Sequence, residues 1–186
     1  MSRPPVALVT GNPGKLVEAR RLAPFPLESV PIDLPEIQSL DLLEVLRVKG
    51  EEAIRRLPGR ALIVEEAGLE LSALNGFPGP LVKWMLDAIG ASGIAKVGAD
   101  FGDPGVTARC ALFYSDRDRR VMVSGAASGT LVLPPRGSHG FGFDPVFLPT
   151  GGVRTFGEMD GAAKDELSHR GNAWRALTRE LGLAPG

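Results

Sequence analysis

The residues with types and spacings suited to chemistry gather in four short stretches. In the first, Thr10-Gly-Asn-Pro-Gly-Lys15, a β-branched and apolar run hands over to a helix-like run. A helix N-terminus offers unpaired N–H groups and the positive end of its dipole, so it favours an anion, and Lys15 can add a point charge. The GK[ST] ending of a Walker loop and the GxGxxG pattern are both missing, so this stretch alone equally fits a plain strand-to-helix turn. The second is acidic: Glu36 in LPEIQ, and the pair Glu65-Glu66, which alternation along a strand sends to opposite faces. Carboxylate oxygens suit hard divalent cations, and Mg²⁺ takes one or two of them plus substrate phosphates. A carboxylate there can also orient or deprotonate a water. The bland alternative is a solvated strand edge and a loop charge.

In the third stretch, Gly140-Phe-Gly-Phe-Asp-Pro145, two aromatics sit in a glycine-flanked loop. Such faces suit a stacked planar ring with Asp144 accepting a base N–H, or they plug the space between sheet and helix. The fourth, Lys164-Asp-Glu-Leu-Ser-His-Arg170, opens the final helical run. Ser168, His169 and Arg170 are consecutive, so they point three ways around a helix and do not form a nucleophilic triad.

The elements that must position these stretches read as α/β. Strand-like runs are expected at Pro5 to Thr10, Ser29 to Leu34, Ala61 to Val64 and Leu69 to Leu74, the last two flanking the acidic pair. More follow at Val106 to Tyr114, Arg120 to Val123, Ala126 to Leu133 and Val146 to Leu148, which makes the second half antiparallel and the sheet mixed. Helices are expected at Lys15 to Leu22, Leu40 to Leu57, Leu81 to Ile89 and Ala162 to Leu181.

The chain has 186 residues, enough for one domain that buries roughly 70% of its unfolded surface. A formal net charge of −1 argues against a protein that blankets nucleic acid with basic surface, so an anionic ligand needs a local cluster of cations. One cysteine, Cys110, builds neither a disulfide nor a zinc site. No apolar segment approaches the roughly 18 residues of a membrane span, and the N-terminal stretch lacks the features of a leader; a soluble cytoplasmic protein is expected. With no linker or repeat, residues 1–186 read as a single domain of two lobes.

Together these stretches resemble the inosine triphosphate pyrophosphatase family. The resemblance runs through VTGNPGK at 9–15, LPEIQ at 34–38, VKGEEA at 48–53, VEEAGLEL at 64–71, GFPGPLVKWML at 76–86, GFGFDPVF at 140–147 and KDELSHR at 164–170. It implies a mixed, elongated central sheet with flanking helices, two lobes around a nucleotide-binding cleft, and a homodimer. It also implies hydrolysis of non-standard purine nucleoside triphosphates (ITP, dITP, XTP) to the monophosphate and pyrophosphate. By the same resemblance Thr10, Gly11, Asn12 and Lys15 bind the phosphates, assisted by Lys49 and Lys83. Glu36 and Glu66 hold Mg²⁺, and Glu66 acts on the attacking water. Phe141, Gly142, Phe143 and Asp144 form the base-binding loop, and Lys164, His169 and Arg170 read and close over the base. The chain departs from the family pattern where Glu-Asp-Ser or Glu-Asp-Thr is usual: it has Glu65-Glu66-Ala67, which keeps the charge, lengthens its reach and removes a hydroxyl. Asp165 stands where Asn is common. A nucleotide-binding protein with weakened hydrolysis is the alternative.

Overall fold

The computed structural model of the chain describes residues 4–183, so the outermost residues of the expected 1–186 domain lie outside the description. Strand β1 (Val6–Val9) is apolar and buried throughout. Helix α1 (Pro13–Leu22) follows; Pro13 suits the first turn, where an N–H has no partner, and Asn12 caps it by accepting from the Lys15 N–H. Strand β2 (Leu27–Ser29) runs parallel to β1. The strand expected at Ser29 to Leu34 is not formed: residues 30–40 carry no helix or strand, because Pro31 and Pro35 bring no N–H to a ladder. Helix α2 (Leu42–Arg56) starts at Asp41, whose carboxylate accepts from the N–H groups of Leu43 and Glu44.

Strand β3 (Leu62–Leu71) is continuous through Glu65 and Glu66, where two separate segments were expected. Charged residues do not interrupt a strand when each finds a partner, and both do. A 3₁₀ turn (Ser72–Leu74), the short strand β4 (Pro78–Gly79) and helix α3 (Val82–Asp100) come next. The expected helix corresponds to the first part of α3; Gly90, at φ 66° and ψ 177°, breaks it before a second helical piece. Strands β5 (Gly105–Ser115) and β6 (Arg120–Leu131) pair along their whole length, so the two strands expected at 120–133 are one. Gly125 keeps its place in that ladder because a side chain there would run into the backbone of Ala173 and His169. Strand β7 (Phe147–Pro149) closes the sheet. The expected final helix is two, α4 (Gly161–Leu167) and α5 (His169–Glu180), divided at Ser168. That residue is extended, and its hydroxyl caps α5 by accepting from the Gly171 N–H.

The sheet order is β2-β1-β3-β5-β6-β7, with β4 added to β3. β1 is parallel to β2 and β3; every other pairing is antiparallel, giving a mixed α/β fold. β5 occupies one edge of β3 from Leu62 to Leu71. On the other edge β1 pairs with residues 62–64 and β4 with residues 69–70. Glu65 to Gly68 therefore face a gap between two strand ends, in the middle of the sheet.

Strand alternation sorts the core. Val6, Leu8, Ile63, Cys110 and Leu112 pack with Trp174 and Leu177 on one face, while Ala7, Val9, Leu62, Val64 and Phe113 pack with Leu42 and Leu46 on the other. A third cluster joins the far half of β3 and β5 to α3, Phe143, Phe147 and Phe156. Two packed bodies thus share one sheet, and the gap beside Glu65–Gly68 lies where they meet.

Candidate active site

A cleft of about 730 Å³ opens at that gap. Thr10, Gly11, Asn12, Lys15, Glu36, Lys49, Glu66, Lys83, Phe141, Gly142, Phe143, Asp144, His169 and Arg170 all line it, although they lie on separate elements across 160 residues of sequence. Lys164 does not line it.

At one end is the turn from β1 into α1. The Asn12 N–H donates to the Thr10 hydroxyl at 3.1 Å, which shapes the turn at the start of the helix. Lys15 lies one turn in; its Nζ donates to the Glu65 carbonyl at 3.2 Å and stands 3.7 Å from that residue's carboxylate. The carbonyl is available because β3 has no neighbouring strand on the edge opposite β5 at that point.

Glu65 and Glu66 point to opposite faces, as alternation requires. On the Glu66 face, the Lys49 ammonium bonds both Glu66 and Glu36, the latter at 2.7 Å. Burial alone would lower the pKa of Lys49, but Glu66 and Glu36 outweigh it and hold the ammonium above its ordinary value. For Glu36 burial acts upward, yet Lys49, then Lys83 and Lys15, leave its carboxyl below the usual range. Lysines from α1, α2 and α3 thus bear on one carboxylate. Two converging carboxylates that already share a cation are hard oxygen donors of the right sign for a divalent ion. Among the described residues no group of three or more potential ligands exists, so substrate oxygens would have to complete the shell.

On the Glu65 face a buried ionic chain runs behind the cleft. Arg170 bonds Glu65 at 3.0 Å and also pairs with Glu18; Glu18 bonds Lys164 at 2.7 Å, and Lys164 bonds Asp144 at 2.6 Å. Asp144 in turn accepts from the Phe141 N–H at 2.7 Å. Burial raises the Glu18 carboxyl, but Arg170 and Lys164 bring it below its ordinary value. Asp144 stays raised by burial despite Lys164. Asp144 is therefore committed to closing its own loop, and Lys164 to supporting that loop from behind.

The aromatic loop also differs from a pair of open stacking faces. Phe143 is a core residue, its ring 6.0 Å from Phe147 and 5.8 Å from His169. Phe141 is half-buried against the backbone of Gly14, with Lys164 and Arg170 each 5.3 Å from its ring. His169 is buried; that burial, then the positive charges of Arg170, Lys164 and Lys15, pushes its pKa well below the ordinary value, so it is neutral at pH 7. Its Nδ1 has no partner among the described residues.

Glu18 was not singled out from the sequence. A signal existed: at helical spacing it falls on the same stripe as Lys15 and Leu22, and the neighbouring Val17 is the exposed residue.

Fold and cleft together define a mixed α/β protein in which lysines, carboxylates and aromatic side chains line one cleft. The Ham1 family matches residues 6–180, and the chain belongs to that family. It is 35% identical over 180 residues to the dITP/XTP pyrophosphatase of Ignicoccus hospitalis, covering 95% of this chain and 96% of that protein. It is 38% identical over 177 residues to the inosine triphosphate pyrophosphatase of Yarrowia lipolytica, covering 92% and 93%. In structure it superposes on a HAM1 protein from Coxiella burnetii with a TM-score of 0.80 at 24% identity, over 97% and 99% of the two chains. A nucleoside-triphosphatase/dITP/XTP pyrophosphatase from Mycobacterium abscessus gives 0.69 at 30% identity, over 94% and 98%.

Proposed function

We propose that this chain hydrolyses ITP, dITP and XTP to the monophosphate and pyrophosphate, cleansing the nucleotide pool. The observation that carries the reading is convergence: Lys15, Lys49, Lys83, Glu36 and Glu66 line the same cleft as Phe141, Phe143, His169 and Arg170. The names of the Ignicoccus and Yarrowia relatives support the same activity.

In this reading the triphosphate, with nearly four negative charges, lies against the α1 N-terminus and the three lysines. Glu66 orients and deprotonates the water that attacks the α-phosphorus in line, and pyrophosphate leaves towards Lys15. A divalent cation, which we assign as Mg²⁺, would be held by Glu36 and Glu66 and would supply neutralisation of phosphate charge and acidification of the attacking water. At the base end, a six-position carbonyl accepts from Arg170 or a backbone N–H. Adenine presents a donor there, and two facing donors leave a desolvated group unpaired, at a cost of about 1–3 kcal/mol.

The enzyme acts as a homodimer in the cytoplasm. A second groove, lined by Ile37, Val45, Leu81 and Met85, carries the exposed rings of Phe77 and Trp84, and it supports an association face. No helix among the described residues is long and apolar enough to cross a membrane.

Pyrophosphate release from ITP, XTP, ATP and GTP, with and without Mg²⁺, tests the activity. Turnover of ITP and XTP well above ATP and GTP, dependent on the ion, is expected; equal turnover of the four, or none, refutes it. Sedimentation of wild type and Trp84→Glu tests the dimer.

A further inference from the structure

We propose that Lys49 is a resident cation of this site: without metal its ammonium holds the place between Glu36 and Glu66 that a divalent ion takes, and metal binding evicts it towards the triphosphate. The inference rests on the assignment of Glu36 and Glu66 as metal-holding residues. It concerns how this chain keeps them ready.

Lys49 is buried on α2 and reaches both carboxylates at once, bonding Glu36 at 2.7 Å and Glu66 as its second partner. Two carboxylates this close would repel if left alone, and a shared ammonium relieves that repulsion. The arrangement is uneven. Glu66 is fixed on the central strand and its side chain is nearly buried, whereas Glu36 comes from the irregular 30–40 segment and its side chain is 46% exposed. The neighbouring lysines do not do this: Lys15 is tied to Glu65 on the other face, and Lys83 lies 5.3 Å from the Trp84 ring.

Replacing +1 by +2 between the carboxylates strands the Lys49 ammonium in a partly desolvated position unless another anion receives it. A triphosphate in the cleft is that anion. Metal and triphosphate must then tighten each other's binding, and beyond direct ligation by phosphate oxygens a share of that coupling passes through Lys49.

Mn²⁺ serves as the probe, followed by electron paramagnetic resonance without nucleotide. Lys49→Met is expected to bind Mn²⁺ about tenfold more tightly than wild type, about 1.4 kcal/mol. A non-hydrolysable triphosphate analogue, whose oxygens also ligate the ion, should tighten Mn²⁺ on both proteins, and by a larger factor on wild type than on Lys49→Met; an equal factor overturns the proposal. Lys83→Met, which removes an equal charge from the same cleft, should change affinity by about threefold or less, as for a screened charge. No tightening in Lys49→Met, or the same tightening in both variants, overturns the proposal. A measurement on wild type covers the case of a misfolded variant: acetic anhydride labelling read by peptide mass spectrometry should accelerate at Lys49, relative to Lys15 and Lys83, when Mn²⁺ is saturating. An unchanged Lys49 rate overturns it. If wild type takes no Mn²⁺ even with the analogue present, the metal assignment itself fails and takes this inference with it, an outcome distinct from the others.

Discussion

Glu65 and Glu66 are neighbours on β3 yet belong to different systems: Glu65 anchors Arg170 behind the base loop, and Glu66 meets Lys49 on the opposite face. Their substitutions should separate accordingly. Glu66→Gln is expected to lower kcat by about 10²–10⁴, the usual worth of a general base, with the fold retained. Glu66→Asp withdraws the carboxylate by one methylene from a position set for Glu, and a displacement of about 1 Å costs on the order of a hundredfold. Rates of pyrophosphate release, with circular dichroism as the check on folding, read both.

Glu18 carries two cations in a buried place, so removing it leaves Lys164 and Arg170 short of a partner. Glu18→Ala should destabilise the protein by about 3–5 kcal/mol, as for other broken buried pairs. Glu18→Gln, which keeps the shape and some hydrogen bonding, should cost less. Urea unfolding of the two variants and wild type makes the comparison.

Gly14 lets the 140–144 loop close on the turn between β1 and α1. A Cβ there would come within 2.5 Å of a Phe141 ring carbon. Gly14→Ala should therefore push Phe141 outward and raise KM for ITP by roughly tenfold, about 1.4 kcal/mol. Since the three nearest atoms to that Cβ all belong to the Phe141 ring, Gly14→Ala should cost much less in a Phe141→Leu background. A double-mutant cycle should give a coupling of about 0.5–3 kcal/mol; additive effects would show that the ring is not the obstacle.

His169 should make stability depend on pH. Its folded pKa is depressed by burial and neighbouring cations, so below about pH 6.5 the unfolded chain binds a proton that the native protein does not. Stability is thus full above that pH and falls on acidification, by up to about 1.4 kcal/mol per pH unit from this group. His169→Asn should flatten the slope between pH 7 and 5.5 relative to wild type in denaturant melts.

Runs of β-branched and apolar residues made β1, β5 and the two outer parts of β3 legible, and punctuation by Pro and Gly marked the end of α2 and the turn before α3. Residues 30–34 misled because β-branched and apolar side chains outweighed Pro31, which ends the ladder. Glu65-Glu66 looked like an interruption because a lone sequence does not display Lys49 and Arg170 beside them. The second piece of α3, Ala91 to Asp100, has small and apolar residues without a clear helical period, and packing rather than pattern holds it. Lys164 was the hardest to place: its partners Glu18 and Asp144 lie 146 and 20 positions away, and only the tertiary structure joins them.

The interruption along β3 has a consequence for how this protein can diversify. Glu65 and Glu66 are mounted on a strand paired along one whole edge, and on the other edge the ends of β1 and β4 frame the opening. The segments at 140–144 and 169–170 reach the same cleft from other elements, so substitutions in them can reshape its lining while the strand frame around Glu66 stays put.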